Sequence, residues 1–92
     1  MALVVVTLKV MPESVDVDLK ELEAKVKKEI IRYAGEGDMR IQIEPIAFGL
    51  KALKIIFVVD ESKGGTDDLE KKISSLDGVN SVQVVDVRRA LG

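Results

Sequence analysis

The sequence holds no His and no Cys. Imidazole bases, thiol nucleophiles, disulfides and ordinary zinc or haem ligation are therefore excluded. Carboxylate chemistry, an oxygen-ligated cation, a phosphate cradle, or recognition through apolar and basic groups remain. Lys63-Gly64-Gly65-Thr66 leads into a helix start whose free N–H groups suit a phosphate. It lacks the Walker spacing, however, and follows the anion-repelling pair Asp60-Glu61, so a flexible turn with a Thr cap accounts for it better. Asp60, Glu61, Asp67 and Asp68 are hard-cation ligands by type, but their spacing is not that of a calcium loop, and a solvated acidic edge is the simpler account. Asp86 lies inside Val84-Val85-Asp86-Val87, where strand alternation would place it on an open face rather than in a pKa-raising pocket. Two features are left. Phe48 stands in a turn just after Pro45, where no core residue is expected, and Arg88-Arg89 ends the last apolar segment. Phe48 either folds back over the core rim or presents its ring; the arginines are either solvated or bind an anion.

These groups must be positioned by one small domain. Ninety-two residues at 47% hydrophobic and 33% charged build a single core under an ionised surface, with no room for a second domain or a large buried active-site cavity. Fourteen Lys+Arg against 16 Asp+Glu give a net charge of −2, which argues against a dedicated nucleic-acid binder. The apolar run Ala2–Val6 falls far short of the ~20 residues of a membrane span, and it has no basic n-region or cleavage site. A cytoplasmic location is expected, with no membrane and no direct nucleic-acid partner.

Ala2–Met11 is rich in β-branched residues and alternates toward its end, as a strand does, and Pro12 closes it. Asp18 and Glu21 have capping-box spacing. Leu19, Leu22, Val26, Ile30 and Tyr33 then form a helical stripe of about 16 residues that Gly35 and Gly37 stop. Met39–Pro45 alternates as a strand with one wet face, and Pro45 assigns it to an edge. Ile46–Gly49 reads as a tight connection into Leu50–Val59, whose apolar run Ile55–Val59 suits the middle of a sheet. Thr66 caps a second helix with Asp67 and Asp68 in its first turn; Leu69, Ile73 and Leu76 face inward and Gly78 ends it. Val79–Val87 is the last strand. Its inward register stays open, because Val82, Val84, Val85 and Val87 occupy both parities.

The order β-α-β-β-α-β predicts an α+β, ferredoxin-like α/β sandwich. With right-handed crossovers, the four strands form an antiparallel sheet of order 4-1-3-2 with both helices on one face. The second and fourth strands run in opposite directions, which puts Phe48 and Arg88-Arg89 at opposite ends of the sheet. Strands of eight to ten residues separate them by roughly 25–33 Å at about 3.3 Å per residue. No small ligand bridges that distance, so a partner that uses both must be a macromolecule.

Ile46–Ile55, Val58-Val59-Asp60-Glu61, Gly65–Glu70, and Val79–Val82 followed by Asp86–Leu91, all in order along the chain, resemble the guanine-nucleotide exchange domain of the elongation factor 1-beta/delta family. The likeness is greatest to its short archaeal form, which consists of the exchange domain alone. The resemblance spans residues 1–92 as a single exchange domain and implies the ferredoxin-like fold reached above. It also implies exchange of GDP for GTP on the GTPase elongation factor 1-alpha during polypeptide elongation, with no chemical catalysis by the factor, no cofactor and no metal of its own. Partner-binding positions carried over are Phe48 with Gly49 in the turn between strands two and three, and Arg89 with Arg88 near the carboxyl end. Eukaryotic relatives carry a Lys there, and a forked guanidinium prefers bidentate oxygen partners to a metal's position. The eukaryotic N-terminal extension has no counterpart here, so anchoring through it is not expected. The chain is expected to be monomeric alone. The alternative is a small ferredoxin-like regulatory or ligand-binding domain that self-associates through its open sheet face.

Overall fold

The first strand, β1 (Leu3–Pro12), carries Val6, Leu8 and Val10 on one side, and all three are buried. The structure, a computed structural model, describes residues 2–90. After β1, Asp18 in extended backbone accepts the amide N–H groups of Lys20 at 2.9 Å and Glu21 at 3.3 Å, which satisfies two of the orphan donors that open α1 (Leu19–Ala34). Leu22, Val26 and Ile30 form its buried stripe, and Gly35 closes it with φ +84°.

The hairpin that follows joins β2 (Met39–Ala47) to β3 (Leu50–Asp60). Its connection is shorter than the sequence suggested. Ile46 and Ala47 stay in the strand across a register shift, which leaves Phe48 and Gly49 alone as the turn. One turn of 3-10 helix, Glu61–Lys63, then leads to α2 (Asp67–Ser74) and β4 (Val79–Ala90). Thr66 occupies the cap position of α2 but makes no cap bond. Its hydroxyl instead donates to Glu70 Oε2 at 2.9 Å.

The antiparallel sheet has the order β2-β3-β1-β4, the predicted one, and both helices pack on one face in a ferredoxin-like α+β arrangement. The core lies between the layers, where Leu53, Ile55, Phe57 and Val59 of β3 meet β1, α1, and Leu69 and Ile73 of α2. Only alternate residues of the apolar run Ile55–Val59 lie under the helices; Ile56 is half-buried and Val58 is 39% exposed on the open face. As Pro45 implies, β2 is an edge strand.

The ambiguous register of β4 has a structural cause. Thr7 pairs with Asp86 and Leu8 with Val84, so Val85 is an extra, unpaired residue: a β-bulge. Before the bulge, Val82 and Val84 face the helices. After it, Val87 opposite Val6 does so, and Asp86 and Arg88 turn to the open face. Valines at both parities are what a strand with one inserted residue needs.

Candidate functional site

At one end of the molecule, Ala47 pairs with Leu50 across Phe48 and Gly49, whose φ angles are +52° and +82°. Two positive φ values are the mark of a type I′ turn, which suits the twist of a hairpin but favours Asn-Gly or Gly-Gly. Gly49 adopts such backbone freely. Phe48 is the only non-glycine residue with positive φ among those described, and a bulky residue held there costs about 1–2 kcal/mol. No burial among the described residues offsets that cost, because the ring is fully exposed at 102%. The ring does not fold back over the core rim. Beside it the β1–α1 loop brings Val15, 59% exposed, close enough that a Cβ on Gly49 would lie 3.7 Å from its Cγ1. Ile46, 41% exposed, extends the apolar surface.

Arg88 and Arg89 lie at the opposite end, where Val5 pairs with Arg88 and Val4 with Arg89. The pleat sends them to different faces. Arg88 is on the open face with Asp86, its Nε 2.9 Å from Asp86 Oδ2. Arg89 is on the helix face, and its Nη2 donates to Glu61 Oε2 at 3.0 Å. The structure therefore gives each arginine its own carboxylate, on opposite faces of β4, and sets all four residues far from Phe48 and Gly49. Sequence reasoning placed Glu61 in a solvated acidic edge. It had no signal for the pairing, since 28 residues separate the partners.

The remaining candidates are absorbed by structure. The hydroxyl of Tyr33 donates to the carbonyl of Gly65 at 2.9 Å, so the glycine pair is tied to α1 rather than held open for a phosphate. Burial, with the nearby Asp68 carboxylate, raises the Tyr33 pKa. Asp60 accepts the amide of Ser62 at 2.9 Å, a bond that holds its carboxyl below the usual range. Among the described residues no group of three or more acidic side chains is arranged to hold a metal ion. A shallow groove of about 210 Å³ is lined by Asp18, Glu21 and Asp77, but Asp18 there is engaged in capping α1. Asp86 sits on the open face, as alternation predicted.

The fold class is a ferredoxin-like α+β sandwich built on a four-stranded antiparallel sheet, with the Phe48 ring at one end and Arg88 and Arg89 at the other. The solved structure of the de novo designed protein Foldit4 shares that fold, with a TM-score of 0.62 over 98% of each chain at 16% identity. Residues 5–90 match the family model for the EF-1 guanine nucleotide exchange domain. The chain is 49% identical to elongation factor 1-beta of Methanothermobacter thermautotrophicus over 96% of its own length and 97% of the relative's. It is 46% identical to that of Staphylothermus marinus, covering 97% and 98%, and 51% identical to that of Methanosarcina barkeri, covering 89% and 91%. The chain belongs to the EF-1 guanine nucleotide exchange domain family, and its function is guanine-nucleotide exchange in translation elongation.

Proposed function

We propose that this protein, acting as a single exchange domain over residues 1–92, speeds GDP release from elongation factor 1-alpha by gripping the GTPase at two places. Phe48, presented by Gly49, presses into the nucleotide-binding domain, while Arg89, with Arg88 beside it, approaches the phosphates. The observation that carries this reading is the Phe48 ring, wholly exposed on a left-handed residue at a hairpin tip. The chain gains nothing from that arrangement alone, whereas a partner with an apolar pocket does.

Tight GDP binding rests on a magnesium ion bridging the phosphate to the GTPase and on backbone N–H groups around the phosphates. A guanidinium brought there offers forked donors to the same oxygens. An apolar wedge at the distant contact shifts the elements that carry the phosphate loop. The coupling is reciprocal: whatever weakens GDP when the factor binds weakens the factor when GDP binds. The factor forms and breaks no covalent bond, so it is not an enzyme in its own right, and it needs no cofactor or metal. It acts as a monomer on a protein partner in the cytoplasm, without direct contact to nucleic acid or membrane. No helix among the described residues is long and apolar enough to cross a membrane. The self-associating regulatory domain is not favoured by the family match.

The test is release of a fluorescent GDP analogue from elongation factor 1-alpha with and without micromolar protein. Acceleration that Phe48→Ala removes supports the proposal; no acceleration, or a fully active Phe48→Ala, rejects it.

A further inference from the structure

Glu61 stands on an unusually well-tied piece of backbone. It directly follows β3, and its amide donates to the carbonyl of Ala2 at 3.0 Å while its own carbonyl accepts the amide of Gly64 at 3.2 Å. The preceding residue, Asp60, pairs with Leu3 and uses its carboxylate to cap the 3-10 turn at Ser62. The end of β4, by contrast, is held on one side only, because β4 is an edge strand and its last residues pair with β1 alone. Leu3 faces Asp60 on one side and Ala90 on the other, so the Arg89–Glu61 contact spans the start of β1 and ties the loose edge to the firm one. The contact is a single Nη2–Oε2 hydrogen bond, and the Arg89 side chain remains 70% exposed. A guanidinium has five N–H donors in a rigid fork, and the Glu61 bond uses one of them. The helices do not cover this corner: Val87, on the same face, is 57% exposed beside a groove of about 230 Å³ that Glu61, Thr66 and Val4 also line.

From this we infer that Glu61 is the positioning residue for Arg89. It holds one edge of the guanidinium and leaves the other edge free and aimed outward for phosphate oxygens. The inference rests on the proposed role of Arg89 and deepens it. A long side chain with many rotamers is partly ordered before the partner arrives, so less freedom is lost when the phosphates are met. Because Glu61 acts through Arg89, its contribution belongs to the rate of GDP release at saturation rather than to docking.

The experiment measures the maximal rate of fluorescent-GDP release and the half-saturating factor concentration for the wild type, Glu61→Gln, Arg89→Ala and the double variant. Glu61→Gln keeps the side chain's shape but not its charge. Its expected effect is a three- to fivefold fall in the maximal rate, about the size of an exposed ion pair's coupling, with half-saturation within about twofold of wild type. In the Arg89→Ala background, the same substitution should change nothing. If Arg89→Ala slows release but Glu61→Gln does not, or if Glu61→Gln slows it equally in both backgrounds, the positioning role is overturned while that of Arg89 stands. If Arg89→Ala releases GDP at the wild-type rate, the role of Arg89 fails and that of Glu61 with it. The circular dichroism and thermal midpoint of Glu61→Gln, expected to match the wild type, separate a local effect from unfolding.

Discussion

Phe48 and Arg89 stand at opposite ends of a molecule whose longest dimension is 42 Å, one on the turn of edge strand β2 and the other near the close of edge strand β4. The two central strands, β3 and β1, lie between those edges. Residues so far apart within one chain usually contribute additively, even on a shared partner, when they touch different parts of it. If Phe48→Ala and Arg89→Ala each slow GDP release about tenfold, the double variant should lose about a hundredfold, the product of the two. Stopped-flow release rates at saturating factor check this.

Replacing Phe48 by Asn should separate stability from activity. Asn tolerates left-handed backbone and with Gly49 makes the favoured Asn-Gly turn, while the lost ring buries nothing in the free protein. Phe48→Asn should therefore stabilise the fold by about 1 kcal/mol, a rise in thermal midpoint of roughly 4–8 °C for a domain of this size. It should also abolish most GDP release. Calorimetry and the exchange assay on one preparation give both readings.

Deleting Val85 should be tolerated. Because Val85 is the unpaired residue of the bulge, its removal leaves Leu8 opposite Val84 and Thr7 opposite Asp86. Asp86 and Arg88 stay on the open face and Val87 on the helix face. Deleting Val87 instead moves Arg88 and Arg89 to each other's faces, since a one-residue slip reverses every side chain beyond it. Expected outcomes are a folded protein with GDP release within about threefold of wild type for the first deletion, and loss of at least tenfold for the second. Amide spectra and release rates distinguish them.

Tyr33 offers a pH-dependent test. Its hydroxyl donates to Gly65, so Tyr33→Phe should cost about 1 kcal/mol near neutral pH. The Tyr33 pKa is raised in the fold, chiefly by burial and then by Asp68, so folding favours the neutral phenol. That stabilisation is fully present below the unfolded-state value of about 10 and is lost as pH rises through the folded value. The gap in urea midpoint between wild type and Tyr33→Phe should therefore narrow from pH 8 to pH 11.

Much of this protein is legible in its residues. Asp18 before a stripe at steps of three and four gives α1, Pro45 gives an edge strand, and the β-α-β-β-α-β order with right-handed crossovers leaves one sheet order. These follow from local periodicity, capping and backbone chirality, which act over a few residues and need no knowledge of distant contacts. Phe48 and the arginines were identifiable by type and place, and their location at opposite ends followed from strand direction. Whether the ring turned inward or outward did not follow, because that depends on a two-residue turn with both φ angles positive. The bulge at Val85 was likewise hidden: valines at both parities satisfy either register until β1 is laid alongside. The pairing of Arg89 with Glu61 was hidden most completely, since surface ions carry no periodic pattern. Only the folding of two remote segments around the first residues of β1 brings that guanidinium and that carboxylate within reach.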